Sequence, residues 1–236
     1  MNHMRNIQNG GDIAASIAQS FEKLIENAPC EKEGVIPDAN CRRPSLVRSS
    51  NGWDARYVAE IVLTGEAWCR VFEEAKLRVA DSGIVAFLGN RGPGKTRMAA
   101  EIARAGYWPN DKREWNGNAM VYGKTALYRR AMDVFLELRD CGKKGASRSE
   151  KDVLEALSSA GLLVIDEFQE RGESDWENRI ICNLLDKRYA TNRPTILIAN
   201  YTPAEMKSAL SPSVKDRMRE SGKAFVFDWP SFRRRS

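Results

Sequence analysis

Five consecutive apolar residues, Ile84 to Leu88, run directly into Gly89-Asn90-Arg91-Gly92-Pro93-Gly94-Lys95-Thr96, and a stretch of helical composition, RMAAEIARA, follows. Nothing else in the chain constrains the fold as tightly. A short apolar run reads as a buried strand, and the glycines after it permit a tight loop before the helix. The eight residues satisfy G-x-x-x-x-G-K-[ST]. In that pattern glycines let backbone N–H groups wrap phosphates, the helix N-terminus adds positive potential, Lys95 reaches the terminal phosphates of ATP and Thr96 ligates Mg²⁺.

Four more apolar runs follow: AMVY (119–122), LLVID (162–166), TILIAN (195–200) and AFVF (224–227). Their near-continuous hydrophobicity fits strands covered on both faces, and most of the intervals between them hold a crossover helix, as parallel pairing requires. The expectation is an α/β fold of three layers, α/β/α, around a five-stranded parallel sheet. Upstream, Ile13, Ile17, Phe21 and Leu24 recur at helical spacing, and periodicity then vanishes between Ala28 and Gly52. Residues 1–53 are therefore read as a small, mostly helical N-terminal region with a linker, suited to docking a partner, and 54–236 as the main domain.

Composition narrows the class. The 236 residues are 42% hydrophobic and carry a formal charge of +5, with pI near 9.0. No stretch approaches the roughly 18 consecutive apolar residues of a membrane span, and the N-terminus lacks a charged-then-apolar signal pattern. The five cysteines are odd in number and widely spaced, which argues for reduced thiols. A cytoplasmic protein with no membrane partner is expected. Cys30 and Cys41 bracket a segment with faint zinc-knuckle character, but His3 is the only histidine and no C-x-x-C occurs, so loop cysteines are the better reading.

The third apolar run ends in Asp166-Glu167. After a phosphate loop, that pair suits Asp166 to Mg²⁺ and Glu167 to orienting or deprotonating an attacking water. Asn200 ends the fourth run at the strand edge where open parallel sheets place ligand contacts, against the common role of an Asn at a strand end as a turn former. Within SPSVKDRMR (211–219), Arg217 is a candidate for an arginine finger acting on a neighbouring protomer, against the alternative of a helix-surface arginine paired with Asp216 or Glu220. Lys124, Arg129 and Arg130 are candidate contacts to a phosphate backbone, against the usual solvated face of mixed charge.

The order GNRGPGKT, LLVIDEF, TILIAN, VKDRMRE and an apolar strand ending FDWPSFRRR resembles the AAA+ P-loop NTPases of the DnaC/DnaI/IstB group, over roughly residues 54 to 236. The DRMR and W-x-S-[FY]-R ending is most similar to DnaC-type replicative helicase loaders. That resemblance implies an ATPase using ATP and Mg²⁺, a homo-oligomer assembled with ATP, and Arg233 as the sensor-2 arginine. It further implies single-stranded DNA and a DnaB-type replicative helicase as partners, with Ser174 and Trp176 in the nucleic-acid-facing region after the acidic strand. For Trp176, base stacking stands beside ordinary helix packing. Two alternatives remain at this point: an IstB-like transposition helper binding duplex DNA, and an ATP-switched adaptor in which hydrolysis is secondary.

Overall fold

The computed structural model describes residues 46–58, 65–106, 108, 112–115, 120–123, 125–143, 145–172 and 174–232. The expected helix at 12–28, together with Cys30, Cys41, Lys124 and Arg233, lies outside them.

The described chain opens with a 3-10 turn, Ser49–Asn51, and two helices, α1 (Ala55–Val58) and α2 (Glu66–Ala80). Strand β1 (Ile84–Leu88) and helix α3 (Lys95–Ala105) flank the glycine-rich loop, and β2 (Lys112–Trp115) with β3 (Met120–Gly123) forms an antiparallel hairpin. Then come β4 (Ala126–Arg130), α4 (Ala131–Asp140), α5 (Glu150–Ser159), β5 (Leu162–Asp166), α6 (Asp175–Ala190), β6 (Thr195–Ile198), α7 (Pro203–Ala209), α8 (Pro212–Ser221) and β7 (Lys223–Val226).

The main sheet has five strands in the order β4-β5-β6-β1-β7, and all four neighbouring pairs are parallel. Its inner strands β1, β5 and β6 are buried at every residue, which is why they read as unbroken apolar runs. Alternate residues feed opposite layers. Val85, Phe87, Val164, Ile196 and Ile198 pack with α2 and α3. Ile84, Ala86, Leu88, Leu163, Ile165 and Leu197 pack with α4, α5, α6 and α8.

One strand assignment is corrected. The outer strand beside β5 is Ala126–Arg130, whereas Met120–Tyr122 belong to the hairpin. An edge strand is paired on one side only, and β4 alternates between buried Ala126 and Tyr128 and more open Leu127 and Arg129. Its two terminal arginines hide it from a search for apolar runs. Residues 46–53, read from sequence as the end of a linker, pack into this same unit. Val47 and Trp53 are buried in its core, and Trp53 Nε1 donates to the Ala126 carbonyl at 3.0 Å. The polar stretch before α1 thus covers β4.

Arg188 on α6 is fully buried and binds no described carboxylate. Its guanidinium donates to the carbonyls of Leu157 (2.8 Å), Ala160 (2.8 Å) and Pro194 (2.6 Å) and to Thr195 Oγ1 (2.8 Å). One planar group thereby closes the C-terminal end of α5, the entry to β5 and the entry to β6. Carbonyls at a helix end have no intrahelical partner, so this arginine acts as an internal cap. Burial, and secondarily the charge of Arg193, push its pKa down to about 9, which leaves it cationic at neutral pH.

Replacing Arg188 by Met is expected to lower unfolding free energy by about 3 kcal/mol, because several buried acceptors lose their donor together. Arg188→Lys should recover little of this, since an ammonium lacks the planar fork. Chemical denaturation midpoints of the three proteins check both expectations.

Candidate nucleotide site

Parallel pairing brings the C-terminal ends of four strands to one edge of the sheet. β1 leaves into the glycine-rich loop, β5 ends in Asp166, β6 leads to Asn200, and β4 ends in Arg130 opposite Asp166. Such an edge is where open α/β sheets bind ligands. Here it holds a cleft of about 370 Å³ lined by Gly92, Gly94, Lys95, Thr96, Asp166, Glu167 and Asn200, with Tyr57, Arg91, Arg97, Tyr128 and Arg130 among the others.

The loop takes its shape from glycine. Gly89, Gly92 and Gly94 have φ of 116°, 103° and 90°, conformations that side chains rarely adopt. Lys95, at the start of α3, folds back over the loop. Its Nζ donates to the carbonyls of Gly89 (2.7 Å) and Asn90 (2.6 Å) and to Asn200 Oδ1 (2.9 Å). Asn200 is fixed in turn through its backbone N–H, which donates to Gln169 Oε1 at 2.9 Å. A cation at the N-terminus of a helix, beside a loop of open amides, makes a site for an anion.

Asp166 is buried, and its Oδ2 accepts two hydrogen bonds, from Thr96 Oγ1 (2.7 Å) and Tyr128 Oη (2.8 Å). The hydroxyl of Thr96 and the carboxylate of Asp166 are adjacent hard oxygens, a donor set that fits Mg²⁺, which usually takes one or two protein oxygens and retains several waters. Glu167 follows in a left-handed conformation, φ 52°, and its side chain is exposed at the cleft. Its amide donates to Asp166 Oδ1 at 2.7 Å, so the turn separates the two carboxylates: one buried and bonded, the other open.

Of the remaining candidates, Arg91 and Arg130 line the cleft, whereas Arg129, Ser174, Trp176 and Arg217 are not among its lining residues. Arg91 pairs with Glu170 at 3.4 Å. Arg217 is not among the residues lining the cleft; its guanidinium meets Asp186 on α6 and Ser213 Oγ, and lies 5.2 Å from the Tyr189 ring centre. Asp186 is thus its acid, rather than Asp216 or Glu220. Ser174 caps α6 by accepting from the Glu177 amide, and Trp176 packs on Phe135 with ring centres 5.8 Å apart. Arg129 donates to the carbonyls of Asn51 and Tyr128, and Arg130 pairs with Asp133 at 2.9 Å while lining the cleft.

Tyr57, Arg97 and Tyr128 of the cleft wall, and Trp53 behind Tyr128, went unrecognised in the sequence. Tyr128 sits in an edge strand with nothing in its spacing to tie it to Asp166, some 38 positions away. Trp53 stacks on Tyr128, ring centres 4.8 Å apart and planes at 31°. A large aromatic alone in a polar linker was the available signal for Trp53, since such a side chain seeks burial.

The fold and the cleft invite comparison with known proteins. In the solved DnaC helicase loader, 73% of this chain superposes on 99% of that one with a TM-score of 0.54 at 20% identity. The described unit has the AAA+ P-loop fold. The AMPPCP-bound DnaA of Aquifex aeolicus gives a TM-score of 0.52 over 70% of this chain and 48% of that one, at 19% identity. In sequence, this chain is 32% identical over 158 residues to the replicative helicase loader DnaC of Escherichia coli K12. That match takes in 66% of this chain but 59% of the relative's length, so the similarity concerns part of the loader. No family model matches the sequence.

Burial, then the charge and hydrogen bond of Asp166, raise the Tyr128 pKa above its ordinary value near 10. Because the folded state keeps this proton where the unfolded chain loses it, stability is complete below about pH 10 and falls as pH rises beyond it. Alkaline titration of tyrosine absorbance is expected to contain a late component that Tyr128→Phe removes.

Proposed function

We propose that this chain is an ATP-hydrolysing DNA-replication protein of the helicase-loader kind, which binds single-stranded DNA and delivers a DnaB-type replicative helicase. The observation that carries the reading is the convergence in one cleft of Lys95, Thr96, Asp166 and Asn200, supplied by three strand ends and tied by hydrogen bonds of 2.7–2.9 Å. Similarity to DnaC over 158 residues supports the loader assignment and, with it, the helicase and DNA as partners. Among the described residues no helix is long and apolar enough to cross a membrane, in keeping with a protein of the cytoplasm.

In this reading the backbone amides of residues 89–96 wrap the phosphates of ATP, and Lys95 exchanges its loop carbonyls for phosphate oxygens. Thr96 and Asp166 would hold Mg²⁺, which supplies charge neutralisation at the phosphates. Glu167, exposed at the cleft, takes the proton of the attacking water, and Asn200 orients that water or the γ-phosphate. Arg217 leaves Asp186 to reach the nucleotide of a neighbouring protomer in an ATP-linked homo-oligomer, and Arg233 is the sensor-2 contact. Ser174 and Trp176, at the start of α6, remain the proposed single-strand contacts, with Lys124, Arg129 and Arg130 as backbone contacts. Ser174 keeps its capping bond while its other lone pair is open to a partner.

The deciding experiment is ATP hydrolysis by the purified chain with single-stranded or duplex DNA, at two salt concentrations because phosphate contacts are salt-sensitive. Stimulation by single strands is expected. Preference for duplex would transfer the assignment to a transposition helper, and binding without turnover would favour an ATP-switched adaptor.

Lys95→Ala is expected to weaken ATP binding about 10- to 100-fold, as loss of a charged hydrogen-bond donor does. Glu167→Gln should retain ATP binding while turnover falls by about 10²–10⁴, the usual contribution of a general base. Arg217→Ala should lose about 10³-fold or more in stimulated turnover with binding intact, and mixing it with Glu167→Gln should restore part of the activity. Titration of a fluorescent nucleotide and phosphate-release assays separate these outcomes.

A further inference from the structure

A loop that turns its N–H groups toward a phosphate turns carbonyls outward, and each buried carbonyl needs a donor. In the glycine-rich loop, those of Gly89 and Asn90 meet Lys95, and that of Gly94 accepts from Met98 within α3. The carbonyls of Gly92 and Pro93 are met by residues far along the chain. Phe232 N donates to Gly92 O at 3.1 Å, and Trp229 Nε1 donates to Pro93 O at 2.9 Å.

This segment, 229–232, also fits the loop by shape. A Cβ added to Gly92 would overlap the Ser231 hydroxyl, and one added to Gly94 would stand 3.3 Å from the Phe232 ring and 3.6 Å from Trp68 Nε1. Two glycines that the phosphate motif leaves room for are thus also the surface on which the strap lies. The Trp229 ring is anchored independently, against Phe227 just beyond β7, with ring centres 4.7 Å apart. Behind Gly94, the Trp68 indole is buried, stacked on Phe72 at 5.2 Å, and its Nε1 has no partner among the described residues. The loop is therefore held from outside by aromatic groups on α2 and after β7, while its inner side is left to the cleft.

We propose that residues 229–232 act as a strap that fixes the outer face of the phosphate loop, with Trp229 as the positioning residue that sets nucleotide affinity. The proposal rests on the nucleotide reading of the cleft. Without the strap, the outward carbonyls of Gly92 and Pro93 turn to water and the glycine-rich loop samples other shapes, so a bound phosphate must first reorder it. Fixing a loop in its bound shape raises affinity by removing that ordering cost.

Trp229→Phe keeps a ring for Phe227 and removes the donor to Pro93; Phe232→Pro removes the donor to Gly92 together with the ring beside Gly94. In the full chain, Trp229→Phe is expected to weaken binding of Mg-ATP about fivefold, the scale of one hydrogen bond, and Phe232→Pro by at least as much. Amide exchange across residues 89–95 of the nucleotide-free protein should accelerate by a similar factor, with the thermal midpoint unchanged, which a general loss of packing would not produce. Wild-type affinity in both variants, or a fall in affinity accompanied by a lowered thermal midpoint without local exchange, would overturn the strap. If the unaltered chain binds no Mg-ATP, the nucleotide reading fails instead, and loop exchange in the two variants then decides the strap by itself.

Discussion

One buried carboxylate organises the chemical end of this molecule. Asp166 Oδ2 accepts from Thr96 on α3 and from Tyr128 on β4, and its other oxygen accepts from the Glu167 amide. A carboxylate removed from water must be bonded through most of its lone pairs, so three elements are drawn to it at fixed distances. The loop–helix unit, the edge strand and the turn that carries Glu167 are positioned by the same group. Trp53 lies behind Tyr128 and extends this chain of contacts to the segment before α1, so residues 46–53 belong with the site rather than with a spacer.

At the opposite edge of the sheet the solution is electrostatically inverted. There Arg188 gathers neutral carbonyls from α5 and from the approaches to β5 and β6. Between these two polar knots the inner strands are wholly apolar, and the twofold alternation of their side chains divides one sheet between two helical layers. Acidic and basic groups each lie at a strand terminus, where backbone polar groups run out of sheet partners.

Local signals carried much of this. The loop and the apolar strands 84–88, 162–166 and 195–198 are each written in a few adjacent residues. Lys95, Thr96, Asp166 and Asn200 were legible as candidates because a parallel sheet sends its strand ends to one edge. What escaped was set by non-local pairing. Strand 126–130 looks polar because one of its flanks is unpaired, and AMVY was mistaken for it because four apolar residues suit a hairpin as well as a buried strand. Tyr128 and Trp53 became site residues through a register that no sequence spacing encodes. Arg188, in a helix of mixed charge, gives no sign that it is buried.

The burial of Arg188 has a consequence for how the protein responds to ionic strength. The pairs Arg130–Asp133, Arg91–Glu170 and Arg219–Asp216 are exposed and weaken as salt screens them. The guanidinium of Arg188 is out of reach of mobile ions, and its partners are uncharged. Added electrolyte should therefore strip surface charge pairs, and any polyanion held by surface cations, well before it loosens the sheet. In such a molecule, a salt titration reads association separately from folding.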